Sequence, residues 1–104
     1  MMQTLLNKVK ANLILDHNED DEFLQNLIFT ATAYAESYQK KEDGFYAKHD
    51  MHPTTEQAVI MLSSHFYESR DGSTGGFFAD NVQASSQVWW VVNGLLQMNK
   101  DFKV

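Results

Sequence analysis

Apolar positions recur at helical spacing over four stretches of the chain, with charged or turn-forming clusters between them. The clearest stretch opens at Pro53 and predicts a helix over residues 54–70. At about 100° per residue, Ala58, Leu62, His65 and Ser69 form the centre of one face, with Val59, Met61 and Phe66 beside them. Thr54 and Gln57 have capping-box spacing, Pro53 opposes backward extension, and Ser69-Arg70-Asp71-Gly72 closes the segment. So wide a stripe needs partners on more than one side. Ile60 and Tyr67 lie nearly opposite it and point to a second buried surface.

The other three stretches read as those partners. Leu5, Leu6, Val9 and Leu13 predict a short helix over residues 4–12, with Lys8 and Lys10 on its outer side. The acidic run Asp16 to Glu22 precedes a second, longer helix over 20–40, where Asn18 is the expected cap and the acids complement the positive end of the helix dipole. Phe23, Leu24, Leu27, Ile28, Ala31, Tyr34, Ala35 and Tyr38 share its stripe, and Phe29 falls off it. Lys40 and Lys41 suit its negative end. The last helix is expected over 85–100, from Val88, Trp89, Val91, Val92, Leu95, Leu96 and Met98. A strand through Val88 to Val92 is the competing reading, but strict alternation fails there. Trp90 points away from the stripe, and Gly94 one turn later would let another backbone approach.

Two long loops complete the pattern. Residues 42–52 have no clear period and read as a loop with at most one irregular turn. Residues 72–84 are glycine-rich and then aromatic, and Phe77 and Phe78 either tuck into the core or are offered to a neighbour. The expected fold is therefore all-α, a small bundle of about four helices, with residues 1–104 forming one domain. Phe29, Ile60 with Tyr67, and Trp90 are off-face apolar spots on three helices, and together with the Phe77-Phe78 pair they are the candidate subunit or partner contacts.

Composition narrows the function classes. A net charge of −6 lacks the basic footprint of a duplex-binding module, and none of the helices is a basic recognition helix. With no cysteine there is neither a disulfide framework nor a thiolate metal site. No window approaches the roughly 18 apolar residues of a membrane span, and no export signal is visible, so a soluble protein without membrane association is expected.

Candidate chemistry is sparse. The glycine-rich run lacks the lysine and strand context of a phosphate loop, and the serines lack a nucleophile elbow. The acidic run has no glycine for a calcium-loop turn. His65 and Glu68 stand three apart, but the carboxylates that would complete a di-metal site are missing, and a hydrogen-bonded core histidine is the better reading. No catalytic residue, cofactor or metal is expected. The alternative is a small helical metal-binding or regulatory protein using His17, His49, His52 and His65.

The chain resembles the small helical head-tail connector proteins of tailed phages, also described as head-completion or DNA-packaging proteins. One part of the likeness is Leu13-Ile14-Leu15-Asp16 through Phe23-Leu24, followed by Ile28 and Ala31 to Tyr38. The other is Pro53 through Gln57-Ala58-Val59-Ile60-Met61-Leu62 and then His65-Phe66-Tyr67-Glu68-Ser69-Arg70. The end departs from the family pattern, since Leu95-Leu96 runs on into Gln97-Met98-Asn99-Lys100-Asp101-Phe102 rather than a Pro-Tyr-Arg-like segment.

The resemblance implies a non-enzymatic virion subunit of a phage or prophage, made in the host cytoplasm and placed at the head-tail junction. It would form a homo-oligomeric ring, dodecameric in the family, below the portal protein and dock a tail-side connector or stopper. DNA would pass through the channel without sequence-specific binding, and an acidic wall would keep the duplex from sticking.

Overall fold

The computed structural model describes residues 2–69 and 77–100, with side chains for 3–69 and 86–100. Its elements are all helical: α1 (Met2–Leu13), α2 (Asp21–Tyr38), the single-turn α3 (Phe45–Lys48), α4 (Pro53–Ser69) and α5 (Phe77–Gln97). The four long helices are the expected ones, while the boundaries moved. α5 begins at Phe77, so the expected loop over 72–84 gives way to helix from that residue on. Phe77 and Phe78 open a helix rather than tip a loop; their side chains lie outside the described residues. The Val88 to Val92 run is helical, and Val92 and Leu96, one turn apart, are buried. Trp90, two residues before Val92, is exposed, whereas a strand would put those two on the same face.

α4 lies among the others, packed against α5, α2 and α1. Burial therefore runs around it: Ala58, Val59 and Leu62 are in the core, and so are Thr55, Ser63 and Ser64. Ile60 and Tyr67 were expected on a surface open to another subunit; both are buried within this one. The second buried face of α4 is real, and its own neighbouring helices cover it. Leu5, Leu6 and Val9 of α1, Leu24, Ile28, Ala31 and Ala35 of α2, and Val92 and Leu96 of α5 complete the cluster. Each fully buried leucine, isoleucine or valine contributes about 1.5–3 kcal/mol.

The helix ends differ from expectation in ways that local chemistry explains. Pro53 is the first residue of α4, which suits a ring with fixed φ and no N–H to satisfy. The His52 carbonyl accepts the Glu56 N–H at 2.9 Å, and the Thr54 N–H donates to His52 Nδ1 at 3.3 Å, so His52 caps this helix and Thr54 lies inside it. At α2 the cap position is Asp20, not Asn18. The Asn18 amide oxygen is taken by Lys10 Nζ at 2.6 Å, and the Asp20 carboxylate accepts the Tyr67 hydroxyl. Lys10, expected to be exposed, also pairs with Asp21 at 2.8 Å and so joins α1 to the start of α2. Asp21 and Glu22 stand in the first turn of α2, where the dipole favours them. α1 is held to α4 by Lys8 with Glu56 at 2.6 Å and by Asn12 Nδ2 donating to Ser64 Oγ at 2.8 Å.

Both α1 and α2 end in a left-handed residue that is not glycine. Ile14 has φ 59° and Lys40 φ 60°. The following N–H groups reach back to close the helices, Leu15 to the Lys10 carbonyl at 2.9 Å and Lys41 to the Glu36 carbonyl at 2.8 Å. α2 thus stops at Tyr38, and Lys40 is the reversal residue rather than its last turn.

Between α2 and α4 the chain is tied down by buried polar groups. Glu36 accepts the N–H of Gly44 at 3.2 Å on one oxygen and that of Tyr46 at 2.9 Å on the other, which fixes the start of α3. Gly44 has φ 80°, where a side chain would be strained. Gln39 is fully buried. Its Nε2 donates to Thr55 Oγ1 at 2.8 Å and to the Leu96 carbonyl at 3.0 Å, and its Oε1 accepts the Tyr46 hydroxyl. One amide therefore joins the end of α2 to α3, α4 and α5. A second seam runs along α2 and α5. Tyr34 donates to Asn93 Oδ1 at 2.7 Å, Tyr38 to Gln97 Oε1 at 3.2 Å, and Trp89 meets Tyr34 edge-on with ring centres 5.1 Å apart. Burial, and then the neighbouring Tyr38, push the Tyr34 hydroxyl above its ordinary pKa, while the Asn93 bond opposes them.

Replacing Gln39 with methionine keeps the shape and removes every one of these bonds. Thr55 Oγ1, the Tyr46 hydroxyl and the Leu96 carbonyl then lose a buried partner together, and Gln39→Met is expected to cost about 3 kcal/mol in denaturant unfolding. Tyr46→Phe removes one donor and is expected to cost about 1 kcal/mol. Equal, negligible losses in the two variants would show that the network does not support the fold.

Candidate functional site

The exposed apolar surface is concentrated in a few side chains. Trp90 is 79% exposed, Met98 70%, Phe29 69% and Ile14 90%. A large ring held in solvent is unfavourable for an isolated subunit, and a cluster of such groups marks a contact surface more often than a single one does.

Two of these groups belong to shaped regions. Phe29 borders a half-open apolar groove of about 370 Å³ on the outer side of α2, lined also by Leu5, Ala33, Tyr46, Ala47 and Met51. Thr32 and Glu36 also lie at the groove, but both Glu36 carboxylate oxygens are already engaged by backbone N–H groups, so the lining is mostly apolar. Trp90 borders a broad shallow depression of about 470 Å³ along α5, with Tyr38, Val91, Gly94, Leu95 and Met98. Gly94 has open space where a side chain would stand, so nothing in this subunit needs the missing atoms. A glycine inside a helix costs about 1 kcal/mol against alanine, which makes its place on an exposed apolar face notable.

Several exposed or groove-lining residues escaped the sequence reading. Val91 and Met98 were assigned to the core-facing stripe of α5; both are exposed, because the buried side of that helix centres on Val92 and Leu96. The signal was present, since Trp90, Gly94 and Met98 are spaced by four and share one line. Ala33, Ala47 and Met51 had no such signal, because the groove forms only when α1, α2 and α3 meet.

The histidines are dispersed. His17 is exposed in the connection before α2, His49 stacks on Phe45 with ring centres 4.2 Å apart, His52 caps α4, and His65 is half-buried beside Phe66. Among the described residues, no group of three or more His, Cys, Asp or Glu side chains is placed to hold a metal ion. Nor is any helix among them long and apolar enough to cross a membrane.

A family model for the phage gp6-like head-tail connector protein matches residues 2–88. The chain belongs to this family. No curated protein and no solved structure matches this connector-family chain. The matched span takes in α1 to α4 and the first part of α5; Trp90, Gly94 and Met98 lie beyond it. Membership supports a structural connector role in a phage particle.

The exposed Ile14 offers a simple check on the local chemistry. A β-branched residue at φ 59° is strained, and its side chain is almost wholly in solvent. Ile14→Gly is expected to raise the stability of the isolated subunit by about 0.5 to 1 kcal/mol in denaturant unfolding. Lower stability would mean that the isoleucine makes a stabilising contact within the fold.

Proposed function

We propose that this chain is a single-domain, non-enzymatic subunit of a head-tail connector, which assembles into a closed ring below the portal protein, prolongs the DNA channel and docks a tail-side protein. The observation that carries the reading is the family match over residues 2–88. The exposed aromatic surface supports assembly, since Phe29 and Trp90 stand in solvent on different helices of a subunit whose core is otherwise well filled. A ring made of identical copies uses two unlike patches per subunit, one on each side.

Charge supports the conduit. The chain carries 14 acidic against 8 basic residues, and Asp16, Glu19, Glu22, Glu42, Asp43 and Asp50 are exposed. An acidic wall repels the duplex and favours passage over binding. The metal-binding alternative has less support, because His49 stacks on Phe45, His52 caps α4, and the described residues bring no three His, Cys, Asp or Glu side chains together.

Light scattering over a concentration range, alone and with purified portal, tests the assembly. A ring-sized species is expected for the wild type, and Trp90→Ala is expected to lose it with helicity unchanged. A strict monomer in both settings would refute the ring. The channel claim has its own test. Lysine at exposed acidic positions such as Glu19 and Glu22 is expected to slow DNA ejection from assembled particles, and unchanged ejection would count against an acidic conduit.

A further inference from the structure

We propose that the contact between neighbouring subunits is made by the outer face of α5, centred on Trp90 and Gly94 and continued by Met98 just past the helix end, entering the α1–α2–α3 groove of a second copy of this chain. The inference rests on the ring reading above and names the surfaces that would build it.

Three observations lead to it. The first is charge. The longest stretches of the chain without Asp, Glu, Lys or Arg are 81–99 and 23–35, in a sequence of which 21% is charged. The next such stretch, 57–67, belongs to the enclosed α4 and needs no external partner. The two longer ones lie on helices with exposed faces, presenting Trp90 and Val91 on α5, Met98 just past its end, and Phe29 and Ala33 on α2. Loss of charge with enrichment of aromatic residues and methionine is the compositional mark of an interface core.

The second is direction. Tyr34 and Tyr38 of α2 face α5, where they bond Asn93 and Gln97. At about 100° per residue, Phe29 and Ala33 lie on average about 140° around α2 from those tyrosines. The groove therefore opens on a different side of α2 from the one that α5 covers, and Trp90 stands in solvent without lining the groove of its own subunit. A protruding group on one side and a receptor on the other is the arrangement that propagates head to tail and closes when the rotation allows.

The third is fit. The groove of about 370 Å³ has room for one indole ring and is mostly apolar, since the Glu36 oxygens are engaged and Thr32 is the other polar side chain in its lining. Gly94, one turn from Trp90, leaves open space on the face that would approach the neighbour's helices. A second copy is the occupant that supplies the knob and the groove in the same polypeptide.

The absence of cysteine makes a direct test available. One full-length chain carries Ala33→Cys and another Val91→Cys, both surface changes of small volume, and a short bis-maleimide is added to each alone and to an equal mixture, with and without portal. Head-to-tail docking predicts a covalent dimer in the mixture and none in either variant alone. A dimer from one variant alone would mean that like faces meet, which overturns the proposal. Assembled particles with no cross-link in the mixture would place the interface elsewhere and leave the connector reading standing. A monomer under every condition would remove both. Gly94→Leu adds a readout that a role within the subunit would not produce: helicity is kept or raised, while the oligomer is lost.

Discussion

A buried amide organises this bundle. Gln39 follows the last residue of α2 with no surface exposed, and a primary amide so placed must find partners for its protons and its oxygen or cost more than it contributes. It finds them on α3, α4 and α5, through Tyr46, Thr55 and the Leu96 carbonyl. The apolar core could be filled by several related arrangements of four helices, since burial is non-directional. Hydrogen bonds of fixed geometry are less permissive, and this set is satisfied only when the end of α2 meets the start of α4 and the end of α5 at one point. Glu36 extends the same logic by holding the turn into α3 through two backbone N–H groups.

That anchoring bears on the outer surface as well. By fixing Gly44 and Tyr46 against α2, Glu36 positions α3 as one wall of the groove. The polar network inside and the apolar recess outside are therefore two sides of one arrangement. Along the opposite seam, Tyr34 and Tyr38 set α5 against α2 through Asn93 and Gln97, and this orientation turns Trp90 outward. Rigid presentation of an aromatic group lowers the entropy lost when a neighbour binds it.

The role follows from division of labour among the helices. α4 is spent on the core, enclosed by the others, and contributes no large exposed apolar group. α2 and α5 are each buried on one side and uncharged over long stretches on the other. Both properties suit the structural connector role that the family match supports. Two of the histidines hold local structure, His49 by stacking on Phe45 and His52 by capping α4.

Much of this was legible from residue order. Periodicity located four long helices and the core residues Leu5, Val9, Leu24, Ile28, Leu62 and Leu96, because side-chain spacing along a helix is a local property. The off-stripe positions of Phe29 and Trp90 were visible for the same reason. What depends on neighbours was not visible. Ile60 and Tyr67 also fall off the stripe, yet they are buried, since only packing could show that α4 is enclosed and that Asp20 receives the Tyr67 hydroxyl. Caps moved from Thr54 to His52 and from Asn18 to Asp20, because a polar side chain near a helix start chooses among several partners, and Lys10 on another helix claimed Asn18. The groove is the clearest case. Leu5, Ala33 and Met51 are far apart in sequence, and their meeting is decided by long-range packing that no local pattern records.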